Sequence, residues 1–217
     1  MLHRLILVVL IALFPLLALA DDAQEPPCFD TARFLESRLP RNNCRYKTFY
    51  LALELMAGRG ARVIVETGTA RQGRRDIGDG CGTMILGDWA AQHGAKVYSV
   101  DIDEQALLMA EQALGPAREF VELVHNDSVE FLRNFNQTID FLYLDSYDFE
   151  VSNPYASQRH HLNEITAAYP WLHQKSVVMI DDCGLPYGGK GRLVIQYLRK
   201  KGWKLVGKGY QVVLVKA

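Results

Sequence analysis

Six carboxylates mark where this 217-residue chain can do chemistry: Glu66, Asp101, Asp127, Asp145 and the adjacent pair Asp181 and Asp182. Each stands at or just beyond the end of a short apolar run. Carboxylates crowded together repel, and their charges must be met by hydroxyl or amino donors, by a cation or by a metal ion. A second group is His160, His161 and Glu164. His160 and Glu164 are spaced i to i+4 and share a helix face, and one of the two histidines can serve as general base toward a hydroxyl acceptor. Tyr147, Tyr155 and Tyr187 are candidates to wall the acceptor side.

The apolar runs are strands and the stretches between them are helices. Val63, Ile64 and Val65 are apolar without alternation, as in a strand covered on both faces. Strands are predicted over Arg62 to Glu66, Lys96 to Asp101, Phe120 to Val124, Ile139 to Leu144 and Ser176 to Ile180. Helices are predicted over Thr31 to Leu39, Cys44 to Ala57 with Gly58 as its stop, and Thr83 to His93 with Gly94 as its stop. Further helices are predicted over Glu104 to Leu114, Val129 to Phe135 capped by Asp127 or Ser128, Ser157 to Ala168, and Arg192 to Lys201 after a flexible loop at Gly188 to Gly191. Trp203 to Val206 and Gln211 to Lys216 close the chain as an antiparallel pair. Strand–helix alternation repeated five times predicts an α/β, Rossmann-like, doubly wound fold. Its sheet is seven-stranded and mostly parallel, with a C-terminal antiparallel hairpin. Parallel strands end on one edge, so the six acids gather along one crevice.

Composition and missing motifs narrow the function. With 24 Lys and Arg against 25 Asp and Glu, the formal charge is −1, and nucleic acid is not an expected partner. The first strand turns through Glu66-Thr-Gly68-Thr69 into a long glycine- and arginine-rich loop from Ala70 to Cys81, not into G-x-G-x-x-G. Neither G-x-x-x-x-G-K-[ST] nor G-x-S-x-G occurs, which disfavours a nucleotide triphosphatase and an α/β-hydrolase. S-adenosylmethionine suits the acids better, because it carries a sulfonium, an ammonium and a ribose diol, but no phosphate.

The stretches V-I-V-E-T-G-T (63–69), V-Y-S-V-D-I-D (97–103), H-N-D-S (125–128), F-L-Y-L-D-S (141–146) and V-V-M-I-D-D (177–182) together resemble the class I S-adenosylmethionine-dependent methyltransferases. The resemblance runs from about Arg62 to Lys216. It implies that Glu66, Gly68 and Thr69 line the methionine end of the cofactor. It further implies that Asp101 binds the ribose hydroxyls with Ile102 against the adenine, and that Asp127 reaches the adenine amino group with Ser128 beside it. Asp145 with Asp181 and Asp182 is similar to the metal site of the small-molecule, catechol-type O-methyltransferases, with Asp182 in place of an Asn. Three oxygen donors of this kind suit Mg²⁺ or Ca²⁺; the alternative is that these acids cap loops. The implied activity is methyl transfer to a small-molecule acceptor, with His160, His161 and Asp145 as the catalytic candidates. Two other classes stay open: an exported binding protein that keeps the fold without turnover, and a metal-dependent hydrolase built on the same acids.

The N-terminus reads as an export signal. Arg4 precedes an apolar run from Leu5 to Leu17, followed by Ala18-Leu19-Ala20 and the acidic pair Asp21-Asp22. The expected organisation is a signal peptide over 1–20, a linker and helices over 21–60, and a methyltransferase-like domain over 61–217. The domain is placed outside the cytoplasm, periplasmic or secreted. Stable membrane association is expected only if residues 5–20 stay attached as an anchor. Of the four cysteines, Cys28 and Cys44 are the favoured disulfide, leaving Cys81 and Cys183 paired or free. N-terminal sequencing of the exported protein is expected to begin at Asp21; a mature chain that still begins at Met1 contradicts the signal-peptide assignment.

Overall fold

The computed structural model describes residues 29–75 and 81–217. The apolar N-terminal segment, its cleavage pattern, the linker, Cys28 and residues 76–80 of the long loop lie outside the described residues. The Cys28–Cys44 pairing therefore does too. Cys81 and Cys183 do not bond to each other: their sulfurs face the Gly73 and Ile180 carbonyls respectively.

Among the described residues, seven strands form one sheet: β1 (Val63–Thr67), β2 (Lys96–Asp101), β3 (Val121–His125), β4 (Ile139–Leu144), β5 (Leu172–Ile180), β6 (Trp203–Lys208) and β7 (Val212–Lys216). Their order is β3-β2-β1-β4-β5-β7-β6. The first five pair in parallel, and β7 enters antiparallel between β5 and β6. The helices are α1 (Thr31–Glu36), α2 (Tyr46–Arg59), α3 (Gly82–His93), α4 (Glu104–Leu114), α5 (Ser128–Asn134), α6 (Pro154–Ala168) and α7 (Arg192–Lys200). None of them is long and apolar enough to cross a membrane.

Burial on both faces explains the unbroken apolar runs. Ile64, Phe141, Tyr143, Val177 and Met179 point into one core, shared with Leu35 of α1, Phe49 and Leu53 of α2, and Met84 and Trp89 of α3. Their neighbours Val65, Leu142, Leu144, Val178 and Ile180 point into the other, with Leu132 of α5, Ile165 of α6 and Val194 of α7. Because successive side chains of a strand face opposite ways, a strand between two helical layers must be apolar at every position.

Several boundaries differ from the sequence pattern. Gly58 does not stop α2: it sits inside the helix with nothing near its absent side chain, and Gly60 ends the helix in the left-handed region at φ 67°. β5 starts at Leu172 because side chains mend its first half. The β4–β5 register shifts between Ile139 and Phe141, and the Ser176 hydroxyl bridges the gap by donating to the Ile139 carbonyl (2.6 Å) and accepting from the His173 amide (2.8 Å). The long loop after β1 is tied down by Arg74, whose guanidinium reaches Asp88 of α3 and the Ala113 and Leu114 carbonyls of α4. Since Gly58 is helical and open to solvent, Gly58→Ala is expected to raise unfolding free energy by about 0.5–1 kcal/mol in urea denaturation, whereas Gly60→Ala lowers it.

Candidate active site at the carboxyl edge of the sheet

The strand ends open into a cleft of about 460 Å³. Glu66, Asp101, Asp127, Asp145 and Asp182 line it, as do Gly68, Thr69, Ile102, Ser128, Tyr147 and His160. Asp181 lies behind it, fully buried. The β1 turn passes so close to β4 that a Cβ at Gly68 would stand 2.5 Å from the Asp145 carbonyl oxygen.

On the β1–β2 side the acids are held by neutral donors. Glu66 Oε2 accepts from the hydroxyls of Thr83 and Ser99, each at 2.6 Å. Thr69 in turn is hydrogen-bonded to the Ser99 hydroxyl, and Thr83 accepts from the Ala70 amide. Asp101 takes the Thr69 amide on Oδ2 (2.8 Å) and the Asp103 amide on Oδ1 (2.9 Å). Asp127 caps α5 by accepting from the Glu130 amide at 2.8 Å. Ile102 is 71% exposed, an apolar face left standing at the cleft.

On the β4–β5 side the acids meet full positive charges. Arg45, just before α2, places Nε 2.9 and 3.1 Å from the two Asp181 oxygens and Nη2 3.4 Å from Asp182. Lys190 Nζ lies 3.0 Å from Asp145 Oδ1 and 3.1 Å from Asp182 Oδ2. The Tyr143 hydroxyl, 3.0 Å from Asp181 and 3.3 Å from Asp145, closes the ring.

Residues 76–183 match a family model described as a methyltransferase domain. The chain carries a methyltransferase domain. No curated protein matches the sequence significantly. Solved structures share the fold at low identity. NSun6 from Pyrococcus horikoshii with SFG superposes with a TM-score of 0.57 and 16% identity, over 76% of this chain and 50% of its own, so the chain spans half the length of that protein. The O-methyltransferase from Bacillus cereus in complex with SAH gives 0.54 and 17%, over 90% and 94%. An rRNA methylase from Streptococcus thermophilus gives 0.51 and 18%, over 77% and 95%. The fold thus serves both O-methyltransferases and RNA methylases.

In this methyltransferase domain the two adjacent histidines have different fates. His160 reaches the cleft, with Nε2 3.1 Å from the Ser128 hydroxyl and 3.4 Å from Glu164 Oε1. His161 is fully buried away from it, its Nδ1 donating to the Ser157 carbonyl at 2.7 Å. Tyr147 lines the cleft beside His160, with ring centroids 5.2 Å apart, and holds φ 39°, a conformation seldom adopted by a residue with a side chain. Tyr155 and Tyr187 are exposed and do not line the cleft.

Asp145, Asp181 and Asp182 do meet, but not as a metal cage. Among the described residues, no three His, Cys, Asp or Glu side chains are grouped to hold a metal ion, because Lys190 and Arg45 stand between these three acids. The resident Mg²⁺ or Ca²⁺ implied by the resemblance does not fit this donor set. Lys190, Arg45 and Tyr143 were missed by sequence reasoning. The one signal for Lys190 is a lysine set among glycines in Gly188-Gly-Lys-Gly191, shortly after the acidic pair; Arg45 lies 136 residues from Asp181 and has none.

Burial sets the protonation of the site. It pushes Glu66 up to about 7 in spite of its two hydroxyl donors. Burial together with the Asp181 charge drives Asp145 well above the usual carboxylate range. Burial also disfavours charge on Lys190, yet Asp145 and Asp182 hold it above the ordinary lysine value. Glu164 overcomes burial through the His160 bond and the charge of His161 and falls to about 2, while His161 is pushed by burial down to about 4.

Glu66 and His161 act oppositely on stability. Between about 4.5 and 7 the folded Glu66 retains a proton that the unfolded chain has lost, so its contribution declines as pH rises. Between about 4 and 6.5 the unfolded His161 binds a proton that the folded one refuses, so its contribution grows as pH rises. Urea denaturation across this range is expected to show a steeper rise of stability with pH for Glu66→Gln than for wild type. His161→Gln is expected to show a shallower one, each differing by about 3 kcal/mol over the window.

Proposed function

We propose that the cleft binds S-adenosylmethionine and that the chain transfers its methyl group to the hydroxyl of a small molecule outside the cytoplasm. One observation carries this reading: Asp101 ends β2 inside the cleft, fixed by the Thr69 and Asp103 amides, opposite the close Gly68 turn. Each Asp101 oxygen accepts one amide bond and keeps a lone pair for a ribose hydroxyl. Glu66, Gly68 and Thr69 take the methionine end, Ile102 packs on the adenine, and Asp127 with Ser128 meets its amino edge. The SAH- and SFG-bound relatives of the fold support this assignment.

Methyl transfer depends above all on proximity and alignment. A lone pair of the acceptor oxygen forms the new O–CH₃ bond, the C–S bond breaks with its electrons going to sulfur, and the hydroxyl proton leaves. His160 receives that proton. Its Nε2 faces Glu164 and Ser128, which leaves Nδ1 as the basic nitrogen. Burial works against its charged form, but the Glu164 bond holds its pKa above the ordinary histidine value. The same Glu164 oxygen, Oε1, also accepts from the Ser146 hydroxyl at 2.7 Å. A small-molecule acceptor suits a cleft in which Arg45, Arg71 and Lys190 face Asp182, Asp148 and Asp145, since RNA would demand a surplus of positive charge for its phosphates.

Calorimetric titration of the mature chain with S-adenosylmethionine tests the assignment. Asp101→Ala is expected to weaken binding at least tenfold, about 1.4 kcal/mol, with circular dichroism confirming the fold. Wild-type affinity in the variant places the cofactor elsewhere.

A further inference from the structure

Lys190 is a lysine that the fold goes to some length to bury. It is 2% exposed, and its Nζ has three acceptors: Asp145 Oδ1, Asp182 Oδ2 and the Asp145 carbonyl at 3.4 Å. The loop carrying it is clamped. Gln158 of α6 donates to the Tyr187 and Gly189 carbonyls, at 3.3 and 3.0 Å, and Gly189 lies so close to Asp182 that a Cβ there would overlap the Asp182 carbonyl oxygen. Asp182 itself holds φ 52°, a strained conformation that turns its carboxylate toward both cations. On the far side Arg45 stacks over the Tyr210 ring, 4.5 Å from its centroid, while it grips Asp181.

We propose that this is a metal-free centre, in which Lys190 and Arg45 supply to Asp145, Asp181 and Asp182 the two positive charges that a divalent ion would otherwise bring. The inference builds on the reading that methyl transfer occurs at this edge. A divalent ion would have to enter between Asp145 and Asp182, and the Lys190 ammonium already lies within hydrogen-bonding distance of both. Ammonium and metal compete for the same oxygens, and a buried lysine with three acceptors is costly to displace. The substrate class follows. A bound ion offers open coordination positions on which a chelating pair of oxygens can seat; an ammonium whose three donors are engaged offers none. The acceptor is therefore a compound that presents a single hydroxyl, placed by His160 and Tyr147, and it needs no vicinal diol.

Manganous ion is the probe, titrated into the mature full-length chain by calorimetry and followed by electron paramagnetic resonance. S-adenosylhomocysteine binding is measured in parallel with EDTA or Mg²⁺. Wild type is expected to show no Mn²⁺ site tighter than about 1 mM, and its S-adenosylhomocysteine affinity is expected not to change between EDTA and Mg²⁺. Lys190→Ala bares Asp145 and Asp182 and is expected to gain Mn²⁺ affinity at least tenfold. A wild-type Mn²⁺ site in the micromolar range that Asp145→Asn abolishes overturns the proposal, and so does a folded Lys190→Ala with no gain. Should Lys190→Ala not fold, the wild-type titration decides alone. Failure of wild type to bind S-adenosylhomocysteine, with no Mn²⁺ bound either, sinks the methyl-transfer reading and leaves the cation replacement standing.

Discussion

Six carboxylates brought to one edge of a parallel sheet repel one another and resist burial, and the rest of the site is arranged around relieving that repulsion. Three kinds of relief are used. Glu66 is made tolerable by two hydroxyl donors and by a pKa raised to about 7, so that near neutrality it carries a proton for part of the time. Asp101 and Asp127 are met by backbone amides of the turn after β1, of Asp103 just before α4 and of the first turn of α5. Asp145, Asp181 and Asp182 are met by Arg45 and Lys190.

This division splits the cleft chemically. The amide- and hydroxyl-held half presents carboxylates that still have lone pairs to give, which suits a cationic, hydroxyl-bearing cofactor. The ion-paired half is internally saturated: Tyr143, Lys190, Arg45 and the three acids close a ring in which each charge already has a partner. Between them, His160 on α6 reaches across to Ser128 at the start of α5 and links the two halves. Its neighbour His161 points the other way, because consecutive helical residues lie about 100° apart around the axis and only one of the two can face the cleft.

The ion ring also ties the start of the described chain to its end. Arg45 precedes α2, Asp145 ends β4, Asp181 and Asp182 end β5, and Lys190 precedes α7. Gln211 extends the link, donating to the Tyr143 hydroxyl at 2.9 Å and accepting from Thr48 of α2 at 2.6 Å. The second helix is thus joined to the carboxyl edge of the sheet by polar contacts as well as through the core it shares with β1.

Much of this was legible in the sequence, for a local reason. Strand runs such as Val63 to Val65 and Phe141 to Leu144, and the acids that end them, are set by short-range apolar pattern. A parallel sheet then delivers those acids to one edge regardless of detail. The bounds of β2, α4 and β4 follow the pattern residue for residue. Where the pattern is silent, tertiary contact decided. Gly58 stays helical because its face is open, and the first half of β5 pairs because Ser176 mends a register shift. The segment from Gly188 to Gly191, which reads as a flexible loop, is packed hard against Asp182 and Cys183. The sequence by itself determined that six acids would meet and that something, whether neutral donors, a cation or a metal, had to meet them. Only the tertiary structure decided that, for three of them, the something is Arg45 and Lys190, because an ion pair between residues 136 apart leaves no trace in local periodicity and exists only once the sheet has brought its ends together.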